Sequence, residues 1–403
     1  MNIAIIDADL IGRPKHRFPN LVCMKLSAWH QQNGDNVELK INYDNLAQYD
    51  KVFISKVFTD TTVPDGIIDL PNVEYGGTGF YYDKAPKLPY EIEHIIPDYH
   101  LYDNWVNMQL ANGGKKNDFV YYTDYSIGFL TRGCFRQCEF CVNKNYKKCE
   151  KHSSVFEFMD ENRPKLCFLD DNFFACGEWK SIIDEVKLTG KKFQFKQGLD
   201  ERLLTDDKIH ELMTWKYDND FIFAFDNIED ADLIEKKLKR IFELYPTYRK
   251  KNFKFYVLCG YDRNGKWDEN FWKQDIRNTF ERIKILSKYS ALPYIMRYEK
   301  CYSSDFSGVY STIAAWCNQP HMFRTLSYRT FCKFRAMRDK WSKYKTNFDQ
   351  YLADGNFKGA SWRHMEKLEE TYPDIAEEYF DFIPSEIAEY GTYYLRKSLT
   401  IQN

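Results

Sequence analysis

From its second residue the chain alternates short apolar runs with longer amphipathic stretches, the pattern of an α/β protein. Residues 3–7 predict a buried strand. Residues 20–32 predict a helix with Leu21, Met24, Ala28 and Gln31 near one face and Gly34 just beyond it. Further strands are expected at 37–41, 51–57 and 73–75, the last running into Gly76-Gly77-Thr78-Gly79. From Ser126 the alternation becomes regular. Strand candidates open at 126 (SIGFLT), 165 (KLCFLD), 191 (KKFQFKQ), 221 (FIFAFD), 253 (FKFYVLCG) and 293 (PYIMRYE), with amphipathic stretches such as 205–217, 229–245 and 269–289 between them. After Tyr310 no strand signal recurs, and the remainder reads as helices with short loops.

These elements predict three domains. Residues 1–120 carry the βαβ pattern of a small Rossmann-like domain, ending in a Pro- and Gly-containing stretch, 85–117, that reads as an inter-domain connection. Residues 121–305 hold six βα units, which imply a parallel sheet because each crossover is long enough for a right-handed connection. Six units are too few for a closed eight-stranded barrel, so an open, partial (βα)6 barrel of TIM type is expected. Residues 306–403 form a helical C-terminal region.

Composition narrows the function classes. Aromatic residues at 17% exclude a disordered chain, and no run of 18 apolar residues exists, so no membrane-spanning helix is expected. The start, MNIAIIDADLIGR, reads as a core strand rather than a secretory leader. Against 59 acidic residues stand 57 basic ones, and a net charge of −2 supplies no global field for nucleic acid or anionic membrane. Eight cysteines are scattered (Cys23, Cys149, Cys167, Cys176, Cys259, Cys301, Cys317 and Cys332), which points to a reducing, cytoplasmic setting without a disulfide framework.

The other three, Cys134, Cys138 and Cys141, are spaced C-x3-C-x2-C directly after the first barrel strand. Thiolates at this spacing suit zinc or an iron–sulfur cluster. Three readings fit. The spacing could place the cysteines on one buried helical face, although Arg132, Arg136, Gln137 and Glu139 interleave them and Gly133 opposes a helix. Zinc could bind with Cys149 or His152 as a fourth ligand. A 4Fe-4S cluster could bind with one iron left open for a small molecule.

The segment Cys134-Phe135-Arg136-Gln137-Cys138-Glu139-Phe140-Cys141, at the end of the first strand of a (βα)6 barrel, resembles the signature of the radical S-adenosylmethionine (SAM) superfamily. The resemblance covers roughly residues 121–305. It implies that Cys134, Cys138 and Cys141 bind a 4Fe-4S cluster and that SAM chelates the fourth iron. One-electron reduction then gives methionine and a 5′-deoxyadenosyl radical that abstracts a substrate hydrogen, with an electron donor of flavodoxin or ferredoxin type as partner. Phe140 would lie against the adenine. The strand ends supply further expected SAM contacts: Asp171 and Asn172 after the second, Gln197 and Arg202 after the third, Asp226 after the fourth and Gly260 after the fifth. Asp226 reads equally well as the N-cap of the next helix. Where the family usually has Gly-Gly-Glu after the second strand, this chain has Asp170-Asp171-Asn172.

A Rossmann-like domain before such a barrel resembles the cobalamin-binding radical SAM subfamily. Its D-x-H-x-x-G loop matches Asp7-Ala8-Asp9-Leu10-Ile11-Gly12, with Asp9 where His would stand. A carboxylate is a poor substitute for imidazole on cobalt, so bound cobalamin is open but not favoured. If it binds, the chemistry is cobalamin-dependent methyl transfer. Near the C-terminus, Arg324, Arg329, Lys333, Arg335, Arg338, Lys340, Lys343 and Lys345 interleave with aromatics, a pattern that can bind nucleic acid. The steps of three and four through Phe331, Phe334, Met337, Trp341 and Tyr344 instead favour a docked helix with a solvated basic face. A non-catalytic iron–sulfur or nucleic-acid-binding protein on the same scaffold is the rival from another class.

Overall fold

The computed structural model describes residues 1–144, 146–247, 251–344 and 347–391. It is a mixed α/β structure with parallel sheets, and it divides into two compact units: residues 1–197 with 216–218, and residues 198–215 with 219–403.

The first unit opens with β1 (Asn2–Asp7), β2 (Asn36–Lys40), β3 (Lys51–Ser55) and β4 (Val73–Gly76), a parallel sheet in the order β2-β1-β3-β4. β1 is central and buried from Ile3 to Asp7, which is why its sequence is a continuous apolar run rather than an alternating one. The helix Leu21–Gln32 returns the chain to β2. It starts at Asn20, whose side chain accepts from the amides of Val22 and Cys23 and donates to Ser55 Oγ at 2.9 Å. Residues 85–117, expected as a connection, are instead partly core. Tyr99, Tyr102 and Val106 are buried together with Leu21, Met24, Tyr125 and Ile127. The tyrosines can be buried because their hydroxyls are satisfied: Tyr102 donates to Asp7 at 2.9 Å, and Tyr99 donates to the Phe158 carbonyl at 2.7 Å. That pairing is invisible in a run punctuated by prolines.

The same unit continues with β5 (Tyr125–Gly128), the short antiparallel pair β6 (Thr131–Arg132) and β7 (Glu150–Lys151), then β8 (Lys165–Phe168) and β9 (Lys192–Phe195). β5, β8 and β9 form a parallel three-stranded sheet, with Gly128 opposite Phe168 and Phe168 opposite Phe195.

The second unit holds β10 (Phe221–Ala224), β11 (Phe253–Cys259) and β12 (Leu292–Arg297), again parallel and in sequence order. Arg282, on the helix Glu269–Lys288, is buried and donates to the carbonyls of Phe225, Asp226 and Leu258 at 2.7–2.9 Å. One guanidinium thus satisfies backbone acceptors at the ends of two neighbouring strands. All six strands expected between 126 and 299 are present, but as two separate three-stranded sheets. Among the described residues no strand follows β12, and no helix is long and apolar enough to cross a membrane.

The basic stretch near the C-terminus is partly helical, but the helix Tyr328–Met337 ends before Arg338, so the steps of three and four do not run on one helix through to Trp341 and Tyr344. On the helix Tyr328–Met337, Phe331 and Met337 are buried. Arg329 is held by Glu369 at 2.8 and 2.9 Å and by Asp381 at 2.9 Å. Lys343 pairs with Asp354 at 3.6 Å, whereas Lys345 lies outside the described residues.

Candidate functional site

The three clustered cysteines sit on one loop, residues 133–149, which leaves β6 and returns in β7, so the antiparallel pair closes its base. Residues 134–141 are not helical, which removes the reading of a buried helical face, and all three cysteines are half-buried. The turn into it depends on Gly133, at φ +99°, where a Cβ would stand 2.2 Å from the Lys148 carbonyl oxygen. Gln137 adopts φ +49° and donates through Nε2 to the Cys134 carbonyl at 3.1 Å and to the Tyr146 carbonyl. The Phe140 carbonyl accepts from the Tyr82 hydroxyl at 3.2 Å, and the ring itself is half-buried.

N–H donors face two of the sulfurs. Cys134 Sγ receives the Arg136 amide at 3.5 Å and Asn172 Nδ2 at 3.4 Å, and Cys141 Sγ receives the Asn143 amide at 3.4 Å. Burial raises the Cys141 thiol above its usual range. Among the described residues no three His, Cys, Asp or Glu side chains are gathered closely enough to hold a metal ion, the three cysteines included. The donor set nevertheless fits an iron–sulfur cluster in its chemistry: three soft sulfurs on one tethered loop, with amides directed at two of them.

The fourth ligands considered for zinc lie elsewhere. Cys149 is buried near Thr131 and in hydrogen-bond contact with Cys176, and burial pushes its thiol up to about 12. His152 stacks on His94 at 4.9 Å and faces Glu93 at 3.5 Å.

Behind the loop, the three residues that follow Leu169 after β8 each reach towards it. Asp170 is fully buried and accepts from the Leu130 amide at 3.1 Å, the Thr131 amide at 2.7 Å and Thr131 Oγ1 at 2.7 Å. Burial pushes its carboxyl up to about 7 against those donors. Asp171 accepts the Gly133 amide at 2.7 Å, and Asn172 is the donor to Cys134 already described. Gly133 was missed as a site residue by sequence reasoning, and Asp170 was noted only within the Asp170-Asp171-Asn172 run at the strand end. Their signal was present only as an acidic pair at a strand end and a glycine before a cysteine.

The remaining expected contacts divide between the units. Gln197 is exposed just after β9 in the first unit. Arg202, Asp226 and Gly260 belong to the second. Arg202 is held by Asp200 and Asp230, each at 2.7 Å. Asp226 does not cap the following helix: its carboxylate accepts the Leu258 amide at 3.4 Å, and burial raises its pKa. At Gly260, φ +75°, a Cβ would stand 2.1 Å from Cys301 Sγ, so the small residue makes room for a side chain of this same unit.

In the N-terminal sheet, Asp9 is buried and accepts the Val57 amide at 2.6 Å and the Thr61 hydroxyl. A Cβ on Gly77 would meet the Lys56 carbonyl oxygen at 2.2 Å, so this glycine answers a close approach within the domain. A carboxylate occupied by two internal donors does not fit axial ligation of cobalt.

No family model matches the chain, and no curated protein does. Two solved structures match, both of the cobalamin-dependent S-adenosylmethionine radical enzyme OxsB. One, with aqua-cobalamin and S-adenosylmethionine bound, is 11% identical with a TM-score of 0.34; the other, with aqua-cobalamin bound, is 12% identical with a TM-score of 0.32. Each match covers 73% of this chain and 49% of the other, so the chain spans about half the length of the structures it matches. Likeness at this level carries no argument about function.

Proposed function

We propose that this chain is a radical SAM enzyme in which Cys134, Cys138 and Cys141 hold a 4Fe-4S cluster. The observation that carries the reading is the cysteine loop itself: C-x3-C-x2-C, a few residues beyond the C-terminal end of the parallel strand β5, closed at its base by the antiparallel pair β6 and β7 and faced by amide donors. The cluster, when bound, supplies the electron that cleaves SAM into methionine and a 5′-deoxyadenosyl radical. The chain's own residues do the holding. The three thiolates ligate, and the paired base keeps them on one short tether so that metal binding completes a local fold rather than a global one. Phe140 offers a flat apolar face to the adenine. In this reading the fold is of the partial (βα)6 type that the sequence leads one to expect, and an electron donor of flavodoxin or ferredoxin type is the partner. Cobalamin is not favoured in it, because Asp9 would be a poor lower ligand for cobalt; cobalamin-dependent methyl transfer is the alternative reading.

The test is anaerobic reconstitution followed by iron and sulfide counting, electron paramagnetic resonance, and assay for 5′-deoxyadenosine after reduction with SAM. One cluster per chain is expected, with 5′-deoxyadenosine formation that disappears in Cys138→Ala. A stoichiometric zinc site with no cluster and no SAM cleavage would overturn the reading.

A further inference from the structure

Past the end of the sheet formed by β5 and β8, the two chain segments stay together through side chains. The last ladder contact is the Leu169 amide to the Gly128 carbonyl at 2.9 Å. Beyond it the segment from Leu130 to Cys134 is met, in order, by Asp170, Asp171 and Asn172. Asp170 takes the amides of Leu130 and Thr131, Asp171 takes the amide of Gly133, and Asn172 donates to Cys134 Sγ at 3.4 Å. Two consecutive carboxylates satisfy backbone donors that the ending ladder would leave open. The third residue reverses polarity. A carboxylate there would face a thiolate with like charge, whereas an amide presents an N–H to it.

We propose that Asp170-Asp171-Asn172 is a positioning element for the cysteine loop, in which Asp170 holds the segment that leads into it, Asp171 holds its first residue, Gly133, and Asn172 tunes the Cys134 sulfur. This assigns Asp171 and Asn172 to the protein's own loop rather than to SAM. Hydrogen bonds to a cluster's sulfurs are one of the terms that set its reduction potential, because they stabilise the more negative, reduced state. Asn172 supplies such a bond from a side chain, so it can be removed without disturbing the loop backbone, unlike the Arg136 and Asn143 amides.

The tuning half rests on the cluster reading above; the positioning half does not. Two measurements therefore separate them. In metal-free protein, amide hydrogen exchange at Gly133 is compared between wild type and Asp171→Asn, a shape-preserving change. Exchange about tenfold faster is expected there, with no change in the β1–β4 sheet. In the reconstituted protein, the midpoint potential is compared between wild type and Asn172→Leu, with Asn172→Ala as the second variant should the larger side chain misfold. At equal iron per chain, the reduced-to-oxidised ratio at the wild-type midpoint is expected to fall about tenfold, ~59 mV for one electron. Asn172→Gln, which keeps an amide donor, should recover part of it. An unchanged Gly133 exchange rate, or an unchanged potential in a fully loaded Asn172→Leu or Asn172→Ala, overturns the proposal. If wild type assembles no cluster, the enzymatic reading fails while the exchange experiment still decides the positioning role.

Discussion

Replacing Gly133 by alanine places two strains at one point. The residue sits at φ +99°, where an L side chain costs roughly 1–3 kcal/mol. Its Cβ would stand 2.2 Å from the Lys148 carbonyl oxygen, against 3.4 Å or more for ordinary contact, and 2.8 Å from Tyr146 Cβ. The first obstacle is backbone, so no rotamer change relieves it. Either Lys148 withdraws, which pulls on Glu150 opposite Arg132, or Gly133 withdraws and loses its amide bond to Asp171. A hydrogen bond to a charged acceptor is worth about 1.5–3 kcal/mol, so the sum is roughly 2.5–6 kcal/mol. Its low end raises the population of the opened loop about sixtyfold. The cost is local, so the melting temperature should move little while the loop becomes accessible. Limited trypsin digestion of the metal-free protein reads this at Arg132, Arg136, Lys144, Lys147 and Lys148, and iron per chain after reconstitution reads the consequence. Gly190→Ala is the control: φ +65° with nothing within 4 Å of its Cβ, hence only the left-handed strain of ~1–2 kcal/mol. Equal loop cleavage and equal iron content in Gly133→Ala and wild type would refute the reasoning.

Phe140→Ala should leave cluster content near wild type and weaken SAM binding about ten- to a hundredfold, as loss of a stacked base predicts; anaerobic titration calorimetry measures it, and unchanged affinity removes the stacking role. Protein incubated with hydroxocobalamin and desalted should show no stoichiometric corrin absorbance. Asp9→His should not gain it, and should lower stability by ~2–4 kcal/mol through the stranded Val57 and Thr61 donors, as urea denaturation would show. Burial pushes Asp7 up to about 7, so the folded state binds a proton that the unfolded chain, with its ordinary carboxyl, does not hold above pH ~4. The contribution of this group is therefore complete below that point and lost as pH rises through about 7. Unfolding measured from pH 5 to 8 should show wild type losing stability relative to Asp7→Asn, and parallel curves would count against it.

Much of this protein was legible in one dimension. The apolar run of β1, the helix that follows it, the six later strands and the helical C-terminal region follow from local patterning, because strand burial and helix periodicity are set by neighbours a few residues away. The cysteine spacing was legible for the same reason, since ligands on one short loop are close in sequence before they are close in space. What tertiary structure decided are the partnerships between distant residues. Tyr99 and Tyr102 turned a proline-rich connection into core by finding buried acceptors and donors, Tyr102 as far away as Asp7. Within the basic stretch, Arg329 is paired with Glu369 and Asp381, 40 and 52 residues downstream. Asp9 and Gly260 looked available to ligands, but Thr61 and Cys301 fill the places beside them. The role of Asp170, Asp171 and Asn172 was hidden for the same reason. A carboxylate at a strand end can face solvent, a cofactor or a neighbouring amide, and only the parallel register of β5 against β8 brings the 130–134 segment within 3.5 Å of all three side chains.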